Sequence, residues 1–127
     1  MREAISTSSA PKAAGPYSQA IRAGHLVFVS GQIPVDPATG ELVGEDIAAQ
    51  THRVMQNVAG ILEAAGTSYA HVLRTTVFLA DINDFARMNE VYASYVSWPP
   101  PARSTVEVAR LPKDAKIEMD VIAEIPA

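Results

Sequence analysis

An α+β fold, a mixed β-sheet with two helices on one face, is predicted by three features of this 127-residue chain. Apolar and β-branched runs at "HLVFVSG" and "VLRTTVFLA" read as strands, and "STVEVAR" and "KIEMDVIAE" alternate with the period of half-buried ones. Between them lie two segments whose apolar residues return every three or four positions, as on a helix. The resulting order, two extended stretches, helix, strand, helix and two strands, leaves the helices to cover one side of a shared sheet.

The N-terminal part is rich in Ser, Ala and Pro. A strand follows over about His25 to Ser30, ended by Gly31, and the chain reopens as an extended segment before Pro34. "DPATGE" supplies a turn. From Asp46 the spacing of Val54, Val58, Ile61, Leu62 and Ala65 predicts a helix, with Gly66 at its C′ position. Residues 71–84 begin with a β-branched run that predicts a strand. Asp84 is then expected to cap a helix whose apolar face uses Phe85, Met88, Tyr92 and Tyr95. "SWPPPARS" breaks that helix, and its prolines restrict the approach to Arg103.

The final third predicts strands over Ser104–Arg110 and Lys116–Glu124. The "LPKDA" between them is too short for a parallel crossover, so an antiparallel hairpin is expected. One sheet face remains uncovered. Val29, Val77 and Ile122 are expected to make parts of it apolar, although alternation alone does not assign the three to one side. Burial of that face against another subunit is the expectation.

Composition narrows the function classes. With 48% apolar residues the chain can build one core, and a single domain over residues 1–127 is expected. A formal charge of -4 supplies no positive field for a polyanion, which disfavours nucleic acid as a partner. The lack of cysteine removes disulfides, a thiol nucleophile and thiolate metal sites, and is compatible with a reducing compartment. No secretory h-region and no membrane-spanning run is present, so a soluble, cytoplasmic protein is expected.

Several chemistries lose their support on inspection. His25, His52 and His71 occur in no close metal-ligand pattern, and no metal site is expected. No serine lies in GxSxG, and the glycines form neither a dinucleotide nor a phosphate-loop motif. Lys12, Lys113 and Lys116 would need a lowered pKa to act as Schiff-base amines, and nothing in the sequence predicts one. Arg103 and Glu118 stand out. A guanidinium is a planar fork suited to a carboxylate, which makes a small organic acid the natural partner of Arg103 when held in a pocket. Glu118 has the wrong parity to share the side of Ile117 and Met119, so it points to solvent or to a site.

The blocks "GPYSQA", "VSGQIPVDPATGE", "AAGTSYAHVLRTTVFLADINDFARMNEVY" and "PARSTVEVARLPKDAKIEMDVIAE", in this order, resemble the RidA family, also called the YjgF family. That resemblance covers nearly the whole chain. It implies a chorismate-mutase-like fold and a homotrimer with three clefts between subunits. It also implies hydrolytic deamination of reactive 2-imino acids without a cofactor. By the same resemblance Arg103 binds the substrate carboxylate and Glu118 positions or activates water. Tyr17 lines the cleft, Ser30 and Gly31 form its polar backbone-rich edge, and Asn89 lies near the interfacial pocket. Thr105 stands where many bacterial relatives carry cysteine, which excludes thiol-dependent behaviour there and leaves a hydroxyl to shape the pocket. Two other readings compete with the deaminase: a non-catalytic interfacial ligand-binding or interaction module, and a ribonuclease or translation inhibitor. Retention of both Arg103 and Glu118 argues against the first, and the acidic balance against the second.

Overall fold

The computed structural model describes residues 1–127. Its main elements are β1 (Arg2–Ile5), β2 (Ala20–Ala23), β3 (Leu26–Gln32), α1 (Ile47–Ala65), β4 (Val72–Leu79), α2 (Phe85–Ala93), β5 (Ala102–Glu107) and β6 (Ile117–Glu124). The strands form one mixed sheet in the order β1-β2-β3-β6-β4-β5, and β4 with β5 is its parallel pair. Both helices lie on one face, as the α+β pattern predicts.

Helix α1 begins and ends where the sequence signals place it. Asp46 is extended and its side chain accepts a hydrogen bond from the Ala49 N–H at 2.8 Å, while Gly66 closes the helix with φ of 88°. A residue with a Cβ would be strained there. The stripe of Val54, Val58, Ile61 and Leu62 is fully buried against the sheet. Asn57, on the same helix, is also fully buried and donates to the carbonyls of Ile33 and Val35 while accepting from Arg53 Nε. It ties the segment after β3 to the helix.

The cap expected at Asp84 is not formed. Asp84 already has helical dihedrals at the end of a short 3-10 turn over Ile82–Asp84 and makes no capping bond. Asp81 takes that role, accepting from the Asn83 N–H at 2.9 Å. Strand β3 also runs past Ser30 to Gln32, because Gly31 sits in a bulge and does not end the strand. Two short strands, β1 and β2, precede it. Each is four residues long and mostly Ala and Ile with a single Arg or an Arg-Glu pair, too short to carry a periodic signal.

The expected C-terminal hairpin is absent. β5 and β6 run in opposite directions, yet β4 lies between them, parallel to β5 and antiparallel to β6. The reason is that β4 and β5 are joined through α2, a helical crossover of the length that parallel pairing requires. Residues 108–116 then pass across the end of β4, where the Val108 N–H donates to Leu79 O and the Ala80 N–H to Lys116 O.

The three residues expected on the uncovered face divide between the two faces. On β6, Ile117, Met119, Val121 and Ala123 are buried, and the residues between them face the other way. Val29 pairs with Val121 and Val77 with Met119, which puts both under the helices. Ile122 alone is on the uncovered face. It pairs there with Phe28, which is 42% exposed, and Phe78 with Val106 extends the apolar strip.

Replacing Asn57 by Ala leaves the buried Val35 carbonyl without its donor. A loss of about 1–3 kcal/mol is expected, readable as a lower urea midpoint with an unchanged slope.

Candidate active site

Arg103 lies on β5, at the sheet edge, opposite Thr75. Thr75 is fully buried and shares a 2.9 Å hydrogen bond with the Tyr92 hydroxyl, so Arg103 projects to the helix-covered side beneath α2. Its guanidinium carbon is 4.8 Å from the Tyr92 ring centroid and 5.5 Å from that of Phe85. Ring faces attract a cation without consuming its hydrogen-bond donors in the plane. The ion pairs of the chain are Arg87 with Glu90 and Arg110 with Asp114, both on the surface. Arg103 therefore carries no carboxylate partner of its own.

Phe85, Asn89 and Tyr92 recur at four- and three-residue spacing on α2 and so share its face toward Arg103. The Asn89 side-chain oxygen is buried without a hydrogen-bond partner. Such an orphan is costly in a protein interior and marks a place where structure serves something besides stability. A cavity of about 550 Å³ opens here, lined by Asn89, Tyr92, Trp98, Pro101 and Arg103 among others. Thr105, two residues along β5, shares the face of Arg103 and pairs with Val77.

The second group of residues forms around a break in pairing. Between Val29↔Val121 and Gln32↔Met119 the register shifts, so Ser30 and Gly31 together oppose Asp120. This β-bulge bends the strand and re-aims its side chains. It brings Gly31 under Glu118. A Cβ on Gly31 would fall on Glu118 Oε2, so only glycine allows the carboxylate to lie over this backbone. Ser30 is pinned alongside, its hydroxyl donating to Ser18 O at 2.6 Å and its N–H to Gln19 O at 2.9 Å. Tyr17 stays half exposed, its hydroxyl accepting from the Ala14 N–H. Tyr17 and Gly31 line a cavity of about 300 Å³.

Burial pushes the Glu118 carboxyl above its ordinary value, and the neighbouring Asp120 charge adds to the effect. Since Glu118 takes part in neither ion pair, no cation of the chain offsets this.

The residues singled out in the sequence thus form two groups. Arg103, Asn89 and Thr105 lie on the helix side of the sheet edge, whereas Glu118, Gly31, Ser30 and Tyr17 gather around the β3–β6 bulge. Glu118 pairs with Phe78 on the uncovered face while Arg103 pairs with Thr75 on the covered one, and β4 separates their strands. Within one chain they do not meet. Sequence reasoning placed Phe85 and Tyr92 on the apolar face of α2 and so missed them as the support of Arg103. Gln19 was missed as well, although it holds the N-terminal segment by donating to the Thr7, Ala10 and Pro11 carbonyls and accepting from the Thr7 N–H.

The family model described as Endoribonuclease L-PSP matches residues 7–125. The chain belongs to the RidA (YjgF) family. A RutC family protein of Pyrococcus horikoshii is 58% identical, over 97% of this chain and 98% of the relative. The 2-iminobutanoate/2-iminopropanoate deaminase of Salmonella typhimurium is 50% identical over 97% of this chain and 98% of its own length. Among solved structures, TdcF of E. coli with bound serine superposes with a TM-score of 0.92 at 45% identity, covering 98% of this chain and 99% of that one. The RidA family thus includes imine deaminases at about half sequence identity to this member.

The raised carboxyl of Glu118 makes a prediction for stability. Folding opposes its ionisation, so its contribution is full below the unfolded pKa and is lost as pH rises through the folded one. Glu118→Gln is therefore expected to raise the urea midpoint at neutral pH, with a gain that shrinks as the pH is lowered toward the carboxylate range. Unfolding curves of both proteins across that range check it.

Proposed function

We propose that this RidA-family protein hydrolyses reactive 2-imino acids, 2-iminobutanoate and 2-iminopropanoate, to 2-oxo acids and ammonia. The observation that carries this reading is an unpaired guanidinium, held on two aromatic rings, in the same chain as a desolvated, unpaired carboxylate over Gly31. The first suits a substrate carboxylate and the second suits a water. The half-identical Salmonella relative, a deaminase by name, supports the same assignment.

Because Arg103 and Glu118 lie on opposite faces of one sheet, the reading includes a homotrimer in which the Arg103 side of one copy meets the Glu118 side of the next. The apolar strip of Phe28, Phe78 and Ile122 supplies a face for the association. Each cleft then joins Arg103, Asn89 and Thr105 from one subunit to Tyr17, Ser30, Gly31 and Glu118 from its neighbour.

In that cleft Arg103 anchors the carboxylate and sets the C=N carbon within reach of water held by Glu118. Water adds to this carbon as Glu118 accepts one of its protons, and the proton passes to nitrogen in the carbinolamine that results. As the hydroxyl gives up its remaining proton to Glu118, collapse breaks the C–N bond, expels ammonia and leaves the C=O of the 2-oxo acid. The protonated imine is already electrophilic, so positioning and proton transfer are what the protein contributes. No cofactor enters the scheme.

Arg103→Ala is expected to lower kcat/KM by on the order of 10²-fold or more with the fold intact. The imine is generated by a dehydratase, with semicarbazide competing for it and circular dichroism monitoring the fold. Near-normal kinetics in a folded variant overturns the anchor. Gly31→Ala is expected to displace Glu118 and remove turnover while the protein remains associated. An active monomer in solution would overturn the shared cleft.

A further inference from the structure

The cavity beside Tyr17 and Gly31 has a feature that the scheme above does not use. Lys12 and Lys113 both line it, and none of its lining residues is acidic. The chain as a whole carries a net charge of -4, yet the charged side chains that line this cavity are both cationic. Neither lysine belongs to an ion pair. Two lysines outside any ion pair, lining one cavity, favour an anion.

The placement of Lys113 is held against backbone preference. Lys113 and Asp114 have φ of 57° and 55°, consecutive left-handed residues without glycine. Such conformations persist where the surrounding structure imposes them, and they cluster at functional sites. The Lys113 ammonium donates to the Gly40 carbonyl at 3.1 Å, 73 positions away in sequence. Gly40 also lines the cavity, so this bond holds the ammonium at the cavity wall, with two N–H donors left over. Asp114 instead accepts from Arg110, and both of those side chains are largely exposed. Of the two strained residues, Lys113 alone serves the cavity.

We propose that Lys113 and Lys12 form a cationic rim that captures the carboxylate of the incoming substrate at the mouth of the Gly31 cavity, before Arg103 takes it over. The proposal rests on the deaminase reading. It assigns the lysines to capture and not to the chemical step, so their loss acts on kcat/KM rather than on kcat.

The test uses the full chain with 2-iminobutanoate made in place, in wild type, Lys12→Met, Lys113→Met and the double variant, at low and at raised salt. In the double variant kcat/KM is expected to fall about tenfold with kcat changed by less than about twofold. The decline of wild-type kcat/KM with salt is expected to flatten in the double variant, which a purely structural role would not produce. Glycine variants separate strain from charge. Lys113→Gly and Asp114→Gly should both raise the urea midpoint by relieving the left-handed backbone, but only Lys113→Gly should lower kcat/KM.

An active wild type whose double variant keeps its kcat/KM and salt dependence overturns the rim and leaves the deaminase reading standing. A fall in kcat with an unchanged salt slope also overturns it, because the lysines would then act through structure. A folded wild type inactive on every imine supplied overturns the deaminase reading and the rim with it.

Discussion

Strand β6 pairs with β3 on one side and β4 on the other, and every other element takes its position from that double pairing. Its buried residues, Ile117, Met119, Val121 and Ala123, alternate with Glu118, Asp120 and Ile122, so one strand contributes to the core and to the opposite face together. A slip of one residue would exchange the two sets. The bulge at Ser30 and Gly31 is the local departure from this ladder. It is also where Glu118 reaches the backbone of its neighbour.

From this arrangement follows the separation of the ionic groups. β5 is placed at the sheet edge by the α2 crossover, and the parity of its pairing with β4 turns Arg103 toward Phe85 and Tyr92. The parity of β6 turns Glu118 the other way. In a single chain neither charge finds a partner, although each would be cheaper in free energy if paired or solvated. Aromatic faces offset part of the desolvation of Arg103. Glu118 answers it with a raised pKa, the response expected of a partly buried carboxylate without a cation. Charges kept unpaired in this way suit a small anionic, electrophilic substrate and the water that attacks it.

The same economy extends to the loops. Gln19 joins the N-terminal segment to the start of the sheet through one amide, and Asn57 does the same for the segment after β3. Both are buried polar residues whose hydrogen-bonding groups are satisfied, those of Gln19 on backbone and those of Asn57 on two carbonyls and the Arg53 side chain, which keeps their burial from being destabilising. The walls of the Gly31 cavity therefore hang on two side chains that are in the interior.

Much of the fold is legible in the sequence because it depends on local rules. Asp46, the apolar stripe of α1 and Gly66 define that helix by capping and period, and the alternation from Ile117 to Ala123 defines β6 and the parity of Glu118. Arg103 and Glu118 stand out as the residue types that small-acid chemistry needs, and the ordered sequence blocks point to the RidA family. Tertiary structure decided what periodicity does not contain. Which strand sits beside which depends on the α2 crossover and not on the short link between β5 and β6, so the expected hairpin became a pair separated by β4. The cap passed from Asp84 to Asp81 through dihedral angles that residue type does not specify. Val29 and Val77 went to the core face through register, and Arg103 and Glu118 to opposite faces for the same reason. Local patterns state that a strand has two faces; only pairing with its neighbours states which face is inside.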